Sequence, residues 1–195
     1  TSNYDLAIHN WIQKSDHNKI KNKEIKLRYG ENPHQKSYLI KNTSNKNFFD
    51  NLIQGKNLSF NNIKDSEAGF NCINEFKKPT SVIIKHSSPC GVASSTNILI
   101  AFKNSIKSDP ISSFGGVIVL NRVVGKKIAF LISKKFYEII LAPKFTKDAI
   151  KIMGINKNLR LIKTQNIKVN NKNETYSING GHLIQEKNKI ILNQK

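Results

Sequence analysis

The sequence is short of acid: 13 Asp and Glu stand against 32 Lys and Arg in 195 residues, a formal charge of +19 at neutral pH. It is also short of cysteine, with Cys72 and Cys90 alone, too few for a disulfide scaffold or a four-cysteine metal site. No uncharged apolar run comes near the roughly 18 to 20 residues that a membrane helix needs, and the start does not pair a basic end with an apolar stretch as an export signal does. Neither G-x-G-x-x-G nor G-x-x-x-x-G-K-[ST] is present, so a dinucleotide fingerprint and a P-loop are both excluded. No internal repeat recurs at a fixed period. These absences set the expectation of a soluble chain in a reducing, cytoplasmic setting, forming one ordinary domain or part of a larger one.

The excess of positive charge invites a nucleic-acid partner, because basic side chains neutralise phosphates and release counterions. Arginine is scarce, however. All but Arg28, Arg122 and Arg160 of the 32 basic residues are lysine, whereas recognition of bases and phosphates favours the planar guanidinium fork. Lys, Asn and Ile share A/T-rich codons, and the lysines are spread through every segment without a basic run. Net charge of this kind speaks to solubility and nonspecific association. No specific nucleic acid and no membrane is therefore expected as a partner, and a nucleic-acid module remains the weaker alternative.

What is there is an alternation. Tyr4, Ile8, Trp11 and Ile12 share a helical face, and the polar residues 14–26 read as a connector. Asp65 is a plausible N-cap for a helix carrying Ala68, Cys72, Ile73 and Phe76, and Ser81 to Ile84 read as a buried strand. Thr96 can cap a helix with Leu99, Phe102 and Ile106; strands follow at 117–120, 138–141 and 159–162, with helices around 128–132 and 149–153 between them. Residues 41–46 and 165–174 read as polar surface loops. Alternating strands and helices predict an α/β fold with a largely parallel sheet flanked by helices.

Four segments obey neither core nor surface patterning: Lys26 to Gln35, Gln54 to Asp65, Lys85 to Gly91, and Ser108 to Gly116. In open α/β sheets sites form at the carboxyl ends of strands, where Lys85 and His86 follow Ile84. A cationic lysine beside an imidazole favours the neutral, proton-accepting ring, and lysine can stabilise an oxyanion. The pair can equally be a solvated strand end and a turn histidine. Pro89-Cys90 resembles the start of a zinc-deaminase P-C-x-x-C, but Ala93 stands at the second cysteine position and His86 lacks the glutamate two residues on, so zinc fails on ligand count. Cys90 reads as a small packed residue rather than a nucleophile. Gly115-Gly116 makes either a close backbone approach to a ligand or a tight turn into the next strand. Arg28 and Tyr29 either bind an anion and stack on a planar ring, or end a strand.

Taken together, LRYGENPHQ at 27–35, QGKNLSFNN with IKD at 54–65, KHSSPCGVA at 85–93, SDPISSFGGVIVLNR at 108–122, EIILAPKF at 138–145 and NGGHLIQ at 179–185 resemble, in order and spacing, the formyltransferase domain of the bifunctional AICAR transformylase/IMP cyclohydrolase family. That resemblance implies formyl transfer from 10-formyltetrahydrofolate to the 5-amino group of AICAR in purine synthesis. The family's catalytic Lys-His pair falls on Lys85 and His86, with His86 as general base. Its ribotide-binding Arg-Tyr pair falls on Arg28 and Tyr29, an asparagine on Asn62 with Asn61 as the neighbouring option, the Phe-Gly turn lining the imidazole pocket on Phe114 and Gly115, and an acidic substrate contact on Glu138. Ser87-Ser88 departs from the family's usual small residue plus Asn.

By the same resemblance, residues 1–13 are the tail of the upstream cyclohydrolase domain, 14–26 a connector, and 27–195 the first half of the formyltransferase domain. The expected fold is a cytidine-deaminase-like α/β subdomain without zinc, with a second half and a homodimer partner completing the site in the full-length protein. The competing expectation is an inactive fragment or a remnant that binds the ribotide or a partner without turnover.

Overall fold

A computed structural model of the protein describes residues 22–42, 47–48, 50–165, 167 and 173–186. The helix expected at 4–12 and most of the 14–26 connector lie outside the described residues. The connector's last five residues form a strand, β1 (Asn22–Lys26), paired antiparallel with β2 (Tyr38–Asn42). Near the other end, β9 (Asn173–Ile178) and β10 (Gly181–Glu186) form a second two-stranded ribbon.

Between them lies a six-stranded sheet: β3 (Leu52–Gln54), β4 (Thr80–Lys85), β5 (Ser88–Ser94), β6 (Val117–Leu120), β7 (Ile139–Ala142) and β8 (Arg160–Lys163), in the spatial order β3-β8-β7-β6-β4-β5. The β6-β7 and β7-β8 pairs are parallel, whereas β4 runs antiparallel to both β5 and β6, and β3 to β8. Four strands thus share one direction, and β3 and β4 oppose it. The α/β reading holds, and the parallel pairing it anticipated is confined to the centre of the sheet.

The central strands are buried on both faces, which is why they read as unbroken β-branched runs rather than alternating ones. Val117, Val119, Ile139, Leu141 and Ile162 pack under α1 (Phe60–Asn74) with Phe70 and Ile73. Ile118, Leu120, Ile140 and Leu161 face the other way, toward Phe102 of α2 (Ile98–Ser108), Ile128 and Ile132 of α3 (Lys126–Ser133), and Met153 of α4 (Lys147–Met153). Among the described residues, one helix therefore covers one face and three cover the other.

Two caps differ from the sequence expectation. Helix α1 begins at Ser59, whose hydroxyl accepts the Asn62 N–H while the Asn62 side chain returns to the Ser59 N–H, a reciprocal capping box. Asp65 lies inside the helix and is free for another partner. Likewise Asn97, not Thr96, caps α2, accepting the Ile100 N–H.

Strand β5 was not legible as a strand because it contains Pro89 and Gly91. Both are tolerated at a sheet edge. Cys90 is the extra residue of a bulge between the pairs Ile83–Gly91 and Ile84–Pro89. Gly91 lets α2 lie directly on β5: a Cβ there would stand 2.1 Å from the Ser105 carbonyl oxygen. Gly91→Ala is therefore expected to lose about 1–3 kcal/mol or more, since backbone rather than a rotatable side chain must move; a urea unfolding midpoint equal to that of the wild type would refute this packing.

Candidate functional site

Because β4 opposes β6, its carboxyl end meets the amino ends of the parallel strands: Ile84 pairs with Val117, Val117 with Ile139, and Ile139 with Arg160. The candidate residues collect along this edge. It is the carboxyl edge for β4 and β3 and the amino edge for the parallel strands β6, β7 and β8, so the usual location at the carboxyl ends of parallel strands does not apply.

Lys85 closes β4, and its Nζ donates to the Phe114 carbonyl at 3.2 Å. His86 and Ser87 form a two-residue hairpin tip to β5, with φ of 52° and 61°. Both are left-handed, as a type I′ turn requires, and neither is the Gly or Asn that such turns favour. The tip is held from α1, where the Asp65 carboxylate accepts the Ser87 N–H at 2.7 Å and lies 3.4 Å from its hydroxyl. The His86 side chain is exposed.

The turn before β6 is built by Asp109, which accepts the N–H groups of Ile111 and Ser112 at 3.1 and 2.8 Å. Hydrogen bonding from Ser112, with a smaller contribution from Ile111, pulls the Asp109 carboxyl below its ordinary value of 3.8. Gly115 then takes φ +74°, and its N–H donates to the Phe136 carbonyl. The exposed Phe114 ring lies 5.6 Å from that of Phe136.

Glu138 immediately precedes β7. Its N–H donates to Gly116 and its carbonyl accepts from Arg160, so the three pre-strand segments are laced side by side. Its Oε2 accepts from Asn62 Nδ2 at 2.7 Å. Asn62 is 4% exposed, and with its Oδ1 on Ser59 the amide is committed inside the protein. It orients Glu138. Asn61 is exposed and donates to the Glu31 carbonyl, tying the 28–37 segment to α1.

Within that segment, Arg28 is exposed, with its Cζ 5.6 Å from the centre of the half-buried Tyr29 ring. Residues 30–35 form a turn closed by the Gly30 N–H to the Gln35 carbonyl and the Asn32 N–H to Gln35 Oε1. That part of the motif is architecture. So is Gln54, whose amide donates to the carbonyls of Met153, Asn156 and Leu159 and fixes the α4-β8 connection.

Arg160 escaped the sequence reading. It opens β8, donates from Nε to the Lys56 carbonyl at 3.1 Å, and lies within electrostatic reach of Glu138, Arg28 and Tyr29. Burial pushes its guanidinium below the ordinary value, an effect Glu138 opposes and Arg28 reinforces. Its rarity among 32 basic residues, at the start of a strand, was the available signal. Burial likewise raises the Cys90 thiol, consistent with a packed residue rather than a nucleophile. Among the described residues no group of three or more His, Cys, Asp and Glu could hold a metal ion, and no helix is long and apolar enough to cross a membrane.

The family model described as AICARFT/IMPCHase bienzyme matches residues 1–195. The bifunctional purine biosynthesis protein PurH of Staphylococcus saprophyticus is 38% identical over 197 residues, covering 100% of this chain and 38% of that protein. Its namesake in Staphylococcus epidermidis is 41% identical over 189 residues (96% and 37%), and that of Caldicellulosiruptor bescii 42% over 212 residues (98% and 40%). The chain thus spans well under half the length of the curated relatives it matches.

Two outcomes follow from the geometry. Asn62→Ala is expected to lose about 1–3 kcal/mol, because it removes a cap and the donor to a half-buried carboxylate. Asn61→Ala should stay within about 0.5 kcal/mol; equal urea midpoints for the two variants would show that the Asn62 amide is not committed as described. Asp109 has a folded value below its unfolded value of 3.8, so its stabilisation is complete above the unfolded value and is lost as pH falls through the folded one. The stability gap between wild type and Asp109→Asn should accordingly narrow below about pH 4, and a gap independent of pH in urea titrations would contradict the assignment.

Proposed function

This chain belongs to the AICARFT/IMPCHase bienzyme family, whose curated relatives are named for purine biosynthesis, and we propose that it carries part of the machinery for formyl transfer from 10-formyltetrahydrofolate to the 5-amino group of AICAR. The observation that carries this reading is the meeting of Lys85-His86, Phe114-Gly115 and Glu138 on one sheet edge, with Arg28 and Tyr29 close enough to Arg160 on that edge to act on its charge. The proposal places the reaction in the cytoplasm and the complete site in a homodimer of a longer protein.

The chemistry asks for these groups. The substrate amine is conjugated into the imidazole and its carboxamide, which makes it a poor nucleophile. Its nitrogen must attack the formyl carbon, lose a proton, and leave a tetrahedral oxyanion that collapses as the folate N10 departs. His86, exposed at the hairpin tip, takes the amine proton. Lys85 supplies positive charge to the oxyanion and assists protonation of N10. Arg28 pairs with the ribotide phosphate while Tyr29 stacks beside it, and Phe114 and Gly115 wall the imidazole. Glu138, aligned by Asn62, accepts hydrogen bonds from the substrate.

A second reading has its own observation. Because the chain spans only 38% of the first relative, these residues by themselves form a ribotide-binding half-site without turnover. The two readings part in one experiment. In the complete gene product, His86→Ala should reduce folate-dependent formylation by about 10²-fold or more, with ribotide affinity retained. Formylation at the wild-type rate in that variant removes His86 from the chemistry; ribotide binding by residues 1–195 without formylation supports the half-site.

A further inference from the structure

The hairpin tip carrying His86 is the most strained backbone among the described residues: His86 and Ser87 are the two non-glycine residues there with positive φ. A left-handed L-residue is sterically disfavoured, and two in succession persist only where the surroundings over-determine them. Below the tip, the β4-β5 ladder supplies one constraint through the Lys85–Ser88 pair. The bulge at Cys90 interrupts that ladder two residues further on, so the ladder alone holds the tip by a short lever.

The second constraint comes from outside the hairpin. Asp65 projects from α1 one turn beyond Asn62, and its carboxylate accepts the Ser87 N–H at 2.7 Å. This is a charge-assisted bond, shorter and stronger than its neutral counterpart. Lysine is plentiful here, yet neither ion pair found among the described residues involves Asp65. The carboxylate is directed to a backbone amide. Asn62, three residues earlier on the same helix, makes the equivalent reach to Glu138. One helix face thus sets both the hairpin tip and the acidic side chain.

We propose that Asp65 is a positioning residue, whose carboxylate locks the left-handed His86-Ser87 tip against α1 and so fixes where the imidazole is presented. The consequence for catalysis rests on the reading of His86 as the base; the lock itself does not. Without Asp65 the tip relaxes toward right-handed backbone, and His86 leaves the edge where Lys85 and Phe114 are held together.

The test uses two independent readouts. In residues 1–195, Asp65→Ala should speed hydrogen exchange at the Ser87 amide by about tenfold or more, while Asp65→Asn, which keeps an oxygen acceptor, should leave it within about threefold of wild type. In the complete gene product, Asp65→Ala should lower kcat for folate-dependent formylation by about ten- to a hundredfold, the scale of a misplaced catalytic group, with KM for the ribotide changed less than about twofold. Asp65→Asn should recover most of that loss. Adding Ser87→Gly to Asp65→Ala should recover part of it, since glycine takes positive φ without a steric penalty. Unchanged Ser87 exchange in Asp65→Ala overturns the lock whatever the activity shows. An Asp65→Asn variant as impaired as Asp65→Ala overturns it too, because the charge and not the hold would then matter. If His86→Ala keeps formylating while Ser87 exchange still depends on Asp65, the assignment of the base falls and the lock stands.

Discussion

The antiparallel pairing of β4 with β6 determines what can meet what. Had β4 joined the sheet in the direction of β6, β7 and β8, the residues leaving it would lie at the far edge, a strand length from Gly115, Glu138 and Arg160. Running it the other way brings Lys85 against the Phe114 carbonyl. The separate antiparallel pairing of β4 with β5 then turns the chain back within two residues, so that the tip stays at this edge. The site is an outcome of strand direction.

Helix α1 acts as the second organiser. Its capping box and its burial of Phe70 and Ile73 against Val82, Val119 and Leu141 fix its rotation on the sheet. With the rotation fixed, the positions i and i+3 at 62 and 65 face the same edge, and each contributes a polar atom to a different loop. Segments that are far apart in sequence are thereby referred to one rigid element. The arrangement also explains why Asn62 is buried: an amide that must satisfy both a cap and a carboxylate cannot also be open to solvent.

Much of this was legible beforehand, and the exceptions share a cause. Val117–Leu120 was read residue for residue, because a doubly buried strand leaves an unmistakable apolar run. The helices at 98–108, 126–133 and 147–153 showed themselves by their spaced apolar faces. Strand β5 was invisible because its stability comes from pairing and from the Gly91 contact with α2, neither of which has a local signature. The hairpin tip was unreadable as a type I′ turn because His86-Ser87 lacks the expected residues and depends on Asp65, distant in sequence. Asp65 looked like a cap for the same reason: its partner is not local. The motif segments follow neither core nor surface patterning, and sequence cannot divide them into architecture, such as Gln54 and the 30–35 turn, and exposed groups such as Arg28 and His86.

The lateral lacing before the parallel strands has a further bearing. The Glu138 N–H reaches Gly116, and the Arg160 N–H reaches Glu138, so the residues leading into β6, β7 and β8 stand in a row at the strand spacing of about 4.8 Å. Gly116 and Glu138 end two different loops and Arg160 opens β8, and none of the three is part of the apolar layers beneath. The row is also unequal in what it can accept: a Cβ at Gly116 would stand 3.0 Å from the Ile84 carbonyl oxygen, so the member nearest β4 stays bare backbone, and chemical variety along this edge is left to the side chains at 138 and 160.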